Sequence, residues 1–146
     1  MAERRPALRR FARWAWVTAA ATWLLLALGA AVIATGSGLA CAGWPLCVGR
    51  VVPALSGPVA VEWIHRVGAV AVTVLTLATA GAALPLRKDG PWLMGCVLAI
   101  VLLMGQVVLG ALLVDENLAA PLLVAHQAVG SLFLGVWIAL AAAAGR

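Results

Sequence analysis

Four long apolar stretches, separated by more polar segments, dominate the chain. They cover about residues 14–35, 59–84, 91–114 and 118–142, and only the second contains charged side chains, all near its start. Each is about 20 residues or longer, which is enough to cross a hydrocarbon core of about 30 Å. Because backbone groups in hydrocarbon must bond within their own segment, the pattern predicts four transmembrane helices.

The composition supports a membrane protein. Of the 146 residues, 65% are hydrophobic and 10% are charged, so there are too few polar residues to cover a soluble core. The first stretch follows a basic segment, as the core of a cleaved signal peptide does. Its apolar run is longer than the roughly 7–15 residues of such a core. We therefore expect it to remain in the protein as a helix.

The distribution of charge predicts the orientation. Of the ten basic residues, eight lie in the segment 1–13, between the second and third helices, or at Arg146. Loops rich in Lys and Arg stay in the cytoplasm. Both termini are thus expected to be cytoplasmic, and the first loop, residues 36–58, to face outward. Because the basic residues flank membrane spans, the net charge of +5 points to lipid and not to nucleic acid.

The chain is predicted to be a single domain over residues 1–146. Residues 1–13 form a basic cytoplasmic arm, and the loop 36–58 is longer than an ordinary connection. The other two connections are short, so neighbouring helices run antiparallel. The expected fold class is all-α, a four-helix bundle in the membrane.

Two cysteines lie close together in the first loop. Cys41 and Cys47 are expected outside the cytoplasm, where disulfides persist. Gly43 and Pro45 between them permit a tight turn. The pattern allows a structural disulfide, a redox-active pair or two free thiols.

Only two histidines occur in the chain, and both fall in early turns of predicted helices. An ionisable residue inside a membrane indicates function, unless it merely hydrogen-bonds a neighbouring helix. Imidazole binds haem iron, and a four-helix bundle can supply two ligands from different helices. We therefore expect His65 and His126 to hold a haem. Gly68 and Gly130, three and four residues further on, share the histidines' helix faces and are expected to give the ring clearance.

Three further polar residues accompany the histidines. Glu62 shares a helix face with His65, where a carboxylate can move protons beside a haem or pair with Arg66 one turn later. Arg66 can contact a haem propionate or extend its charge towards water. Gln106, in the third stretch, is expected to hydrogen-bond another helix.

These motifs together resemble the haem A synthase family, over about residues 30–130. The residues that carry the resemblance are Thr35-Gly36-Ser37-Gly38-Leu39, Cys41, Trp44-Pro45-Leu46-Cys47, Gly49, Pro53, Glu62-Trp63-Ile64-His65-Arg66, Gly105-Gln106-Val107-Val108-Leu109-Gly110 and His126.

The resemblance implies a membrane oxidoreductase that converts haem O to haem A for terminal oxidases. It also implies that His65 and His126 are the axial ligands of the haem iron, that Glu62 is catalytic, and that Cys41 and Cys47 form the outer-loop pair.

The family's usual members have two similar four-helix halves, and this chain resembles the first, which implies a haem b site in the other half. We expect a homodimer or a separately encoded second half, and contact with cytochrome oxidase assembly factors. The alternative function is a non-enzymatic bis-histidine protein, either an electron carrier or a haem chaperone. A structural or interaction protein without haem is the third possibility.

Overall fold

The structure, a computed structural model, describes residues 4–88 and 90–146. Within the predicted basic arm 1–13, the chain is helical from Arg4 onward, and residues 1–3 lie outside the described part. The first helix therefore continues well beyond the apolar stretch that predicted it. Hydrophobicity marks only the part of a helix that lies in lipid, whereas the arginine-rich turns before it are good helix formers in water.

Helices account for all regular secondary structure in the described residues, apart from an isolated bridge within the first loop. The four α-helices are α1 at Arg4–Ala34, α2 at Gly57–Ala83, α3 at Trp92–Asp115 and α4 at Ala120–Ala144. Each is long and apolar enough to cross a membrane. The prediction of an all-α fold with four spanning helices is confirmed, and the chain is a multi-pass membrane protein.

Proline marks the starts of the helices that follow loops. Pro58 and Pro121 lie in the first turns of α2 and α4, where the missing N–H would have no helical partner anyway. Pro91 lies immediately before α3. Residues 35–56 connect α1 to α2 and are called the α1–α2 loop below.

The helices form a ring in the order α1, α2, α3, α4. Helix α1 packs against both α2 and α4, α3 packs against α4, and the contact between α2 and α3 is the sparsest. The diagonal pairs are therefore α1 with α3 and α2 with α4. Residues on the inner faces of α2 and α4 consequently oppose each other across the middle of the bundle.

The buried core is concentrated at one end of this bundle. It joins the beginnings of α1 and α3 to the ends of α2 and α4, and its members include Phe11, Ala83, Trp92, Trp137 and Leu140. The rings of Phe11 and Trp92 meet edge to face, with centroids 5.7 Å apart. This end carries the packing of the four helices, and it leaves the opposite end available for a site.

Candidate functional site

A cavity of about 410 Å³ lies at the end of the bundle opposite the core. All four helices contribute to its wall, and the α1–α2 loop adds Trp44 and Pro45. Its volume is in the range of cavities that hold small ligands and cofactors. The wall is mostly apolar, and it includes the polar residues Glu62, His65, Arg66, Gln106 and His126.

His65 and His126 line this cavity from the diagonal helices α2 and α4. They lie eight and six residues after the first residues of their helices, which places them at similar depths, about 12 and 9 Å along the axes. The Nδ1 atom of each ring is buried without a hydrogen-bond partner in the described part of the chain. Nδ1 thus ties neither ring to a neighbouring helix, which was the alternative to a ligand role.

A glycine on a different helix faces each histidine, and the approach is tight only at His65. A Cβ atom placed on Gly29 of α1 would lie 3.2 Å from Cε1 of His65. One placed on Gly110 of α3 would lie 3.5 Å from Cε1 of His126. Both glycines stand five residues before the end of their helix. The two helical hairpins therefore build matching pairs of one histidine and one facing glycine.

The glycines predicted from sequence have other neighbours. A Cβ atom on Gly68 would lie 3.1 Å from Cδ1 of Leu25, and one on Gly130 would lie 2.9 Å from Cδ2 of Leu26. Both glycines therefore let leucines of α1 approach closely, and of the two only Gly130 lines the cavity. The spacing rule compares residues on one helix, so it could not find Gly29 and Gly110. Their equal distance from the helix ends appears only with the ends that the structure gives, Ala34 and Asp115, so the sequence carried no signal for them.

Glu62 and Arg66 form an ion pair at the cavity wall. Nε of Arg66 donates a hydrogen bond to Oε1 of Glu62 at 2.9 Å, one helical turn away. Only 6% of Glu62 is exposed, although it lines the cavity. The pairing that the sequence offered as one alternative is therefore present, and the carboxyl group also borders the space where a ligand would lie.

The rest of the Arg66 guanidinium binds the α1–α2 loop. Nη1 donates to the carbonyl oxygens of Gly43 at 2.8 Å and Leu46 at 3.0 Å. Nη2 donates to the carbonyl oxygen of Cys41 at 2.8 Å. Since a guanidinium has five N–H donors, these bonds and the one to Glu62 leave a single N–H for any other partner.

Cys41 and Cys47 are brought together by a turn of this loop. Their sulfur atoms are at disulfide-bonding distance, and their Cα atoms lie 4.5 Å apart. Both residues are buried. The N–H of Val48 donates to the carbonyl of Ala42 at 3.1 Å, and Cys47 and Arg50 exchange two backbone hydrogen bonds of 3.0 Å. The residues between the cysteines thus form a small closed ring.

Gln106 connects α3 to α4 at the level of the second histidine. Its Nε2 donates to the backbone carbonyl of His126 at 2.8 Å. The interhelical hydrogen bond predicted for Gln106 is thereby confirmed. Because the acceptor belongs to His126 itself, this bond fixes the position of the His126 backbone relative to α3.

The fold and the site define a membrane protein with a histidine-lined cavity inside a four-helix bundle. Residues 54–138, more than half of the chain, match the COX15-CtaA family, described as cytochrome oxidase assembly protein. The chain belongs to this family, and the resemblance drawn from its sequence motifs is confirmed.

Curated relatives include several haem A synthases. The chain is 40% identical over 97 residues to the haem A synthase of Symbiobacterium thermophilum, covering 66% of this chain and 32% of the relative. It is 31% identical over 146 residues to that of Chelativorans sp., covering 90% and 40%. The protoheme IX farnesyltransferase of Haloarcula marismortui is 33% identical over 121 residues, with 83% and 26% covered.

The matched region thus spans about a third of the length of these relatives. No solved structure matches the chain.

Proposed function

We propose that this chain holds haem between His65 and His126 and takes part in the conversion of haem O to haem A for terminal oxidases. The observation that carries the proposal is the cavity wall, where two histidines from diagonal helices and a buried carboxyl group meet. Family membership supports the same activity. Bound haem would supply the oxidative chemistry.

The residues of the cavity fit haem as a ligand. Imidazole is a suitable donor for haem iron, and the two rings come from opposite sides of one space. Gly29 leaves the His65 ring room that a side chain would crowd, and the mostly apolar wall suits a porphyrin. That the bound haem is haem O, haem A or haem b is likewise proposed.

Each polar residue has a proposed role. His65 and His126 hold the iron, and Glu62 accepts or donates a proton at its free carboxylate oxygen. Gln106 keeps His126 at its height, and a disulfide between Cys41 and Cys47 keeps the α1–α2 loop over the cavity. Trp44 and Pro45 of this loop then limit the entry of water. The buried carboxyl group is the feature that favours an enzyme over an electron carrier or a haem chaperone.

We also propose that a second four-helix unit accompanies this one. The curated haem A synthases extend well beyond the matched region, and the family resemblance implies a second half with its own haem. A second copy of this chain is the simplest source, since closed two-fold pairs are the commonest oligomers. A separately encoded half, or a further part of the same protein, are the other sources.

Extraction and mass analysis of the bound haem test the proposed function. Protein purified from cells with a haem O source is expected to yield haem A or its hydroxylated intermediate, and native mass spectrometry of the same sample should count two copies. Unmodified haem alone would favour the carrier or chaperone function. Protein that takes up no haem would contradict the ligand roles of both histidines.

We expect Gly29→Ala to weaken haem binding. The added methyl group would lie 3.2 Å from the His65 ring, so the ring must move, and overpacking of this kind costs about 1–3 kcal/mol. The haem affinity should fall roughly tenfold, as about 1.4 kcal/mol implies. Absorbance titration with haem measures it. Gly81→Ala on α2 is the matched control, because nothing lies within 4 Å of its Cβ position; equal affinities for both variants would show that His65 does not need this space.

A further inference from the structure

We propose that Arg66 is a positioning residue, which holds the Glu62 carboxylate in place by bridging it to the ring closed by Cys41 and Cys47. One guanidinium bonds both to the carboxylate and to three carbonyl oxygens of that ring. The proposal rests on the proposed function of this site. It gives Arg66 a role other than the haem-propionate contact that the sequence suggested.

The three acceptors belong to a segment with little freedom. They are the carbonyls of Cys41, Gly43 and Leu46, all between or at the paired cysteines. Cross-linking this ring removes many of the conformations it could otherwise adopt. The carbonyl oxygens therefore converge at one point, and the Arg66 side chain fills it.

The shape of the guanidinium transmits this position to Glu62. It is planar, and its five N–H bonds point in set directions. Once Nη1 and Nη2 are bound to the loop, the Nε–H direction is determined, and Oε1 of Glu62 lies along it at 2.9 Å. The conformation of the loop thereby sets which way the carboxyl group faces in the cavity. Lysine cannot replace this function, because an ammonium is a point charge with three donors.

Burial strengthens two of the four bonds of the bridge, those from Arg66 to Glu62 and to Cys41. Glu62 is 6% exposed, and Cys41 and Cys47 are 0% and 2% exposed. Charge-assisted hydrogen bonds are roughly twice as strong as neutral ones. The bonds from Arg66 to Glu62 and to Cys41 are partly buried, so water competes less for them, whereas the two bonds to Gly43 and Leu46 are exposed. Since coupling between two sites is reciprocal, a change at Glu62 should also loosen the loop, although Glu62 has no hydrogen bond to it in the described residues.

The first experiment needs no haem. In haem-free protein, a membrane-impermeant dithiol reduces the Cys41–Cys47 pair, and alkylation followed by mass spectrometry gives the rate. We expect Arg66→Gln, Arg66→Lys and Glu62→Ala each to raise this rate, Arg66→Gln by at least about tenfold. Adding Glu62→Ala to Arg66→Gln should raise it no further. The control is Arg50→Gln, which removes an exposed charge from the same loop.

The second experiment measures haem content and the conversion of haem O to haem A. In haem-loaded protein, Arg66→Gln and Arg66→Lys should keep haem within about twofold of wild type and lose at least about tenfold in conversion to haem A. A merely structural role would lower haem content and conversion together. If Arg66→Gln loses haem and Arg66→Lys restores it, Arg66 acts as a charge on the haem, and the positioning role is overturned.

The two experiments test different claims, so either claim can be refuted without the other. If wild-type protein makes no haem A, the proposed function is wrong, and the reduction rates still decide whether Arg66 joins Glu62 to the loop. If the Cys41–Cys47 pair is reduced at the wild-type rate in all three variants, Arg66→Gln, Glu62→Ala and Arg50→Gln, the connection between Glu62 and the loop is refuted. This conclusion does not depend on the haem measurements. The connection is also refuted if Glu62→Ala raises the reduction rate by the same factor in the Arg66→Gln variant as in the wild type.

Discussion

Replacing either His65 or His126 with alanine is expected to remove haem from the purified protein. Each variant loses one of two donors that face the same cavity from diagonal helices. Removing a group that only supports a metal ligand already weakens metal binding about 10–100-fold. Loss of the ligand itself should therefore weaken haem binding by at least about 100-fold.

The measurement is the haem-to-protein ratio after purification, with the absorbance spectrum of any haem that remains. Ile64→Ala on α2 and Val124→Ala on α4 serve as controls, because these neighbours of the histidines are 47% and 69% exposed. Both should retain wild-type haem content. If His126→Ala keeps full occupancy and the wild-type spectrum, His126 is not a ligand, and the Gln106 bond to its backbone is then only a packing feature.

The second large effect is expected from Glu62→Gln, which should keep haem and lose its conversion. Glutamine has nearly the same shape, and its carbonyl oxygen can still accept the hydrogen bond from Arg66, but it cannot take up and release a proton. A positioned proton-transfer group typically contributes about 10²–10⁴-fold to a rate. The yield of haem A or its intermediate should fall within that range.

Mass analysis of the extracted haem checks this result, with Glu116→Gln as the control. Glu116 is an exposed carboxylate just beyond α3, so its neutralisation should leave the product unchanged. If Glu62→Gln converts haem O at the wild-type rate, the carboxylate is not the proton-transfer group. Its pairing with Arg66 would then be the whole of its role.

The number of spanning helices and their approximate positions could be predicted from the sequence. Both follow from local properties, namely the length of each apolar stretch and the absence of charge within it. The structure places α2, α3 and α4 within a few residues of the predicted stretches. The start of α1 at Arg4 could not be found this way, because its first turns carry arginines and lie outside any apolar run.

The polar residues of the cavity could also be proposed from the sequence. His65, His126, Glu62 and Arg66 stand out because charged and imidazole groups are expensive in a membrane. The interhelical bond of Gln106 followed from the same reasoning. The residue spacing supplied the pairing of Glu62 with Arg66 one turn later. It could not supply partners on other helices or loops, since these are far away along the chain.

The sequence by itself thus determined that the chain is a membrane four-helix protein and which residues are chemically unusual in it. Only the tertiary structure decided that α2 and α4 are diagonal, that Gly29 and Gly110 face the histidines, and that Arg66 joins Glu62 to the cysteine ring. The physical reason is the range of the forces involved. Hydrophobicity and helix periodicity act within one segment, whereas these contacts arise only once four helices have packed in a particular order.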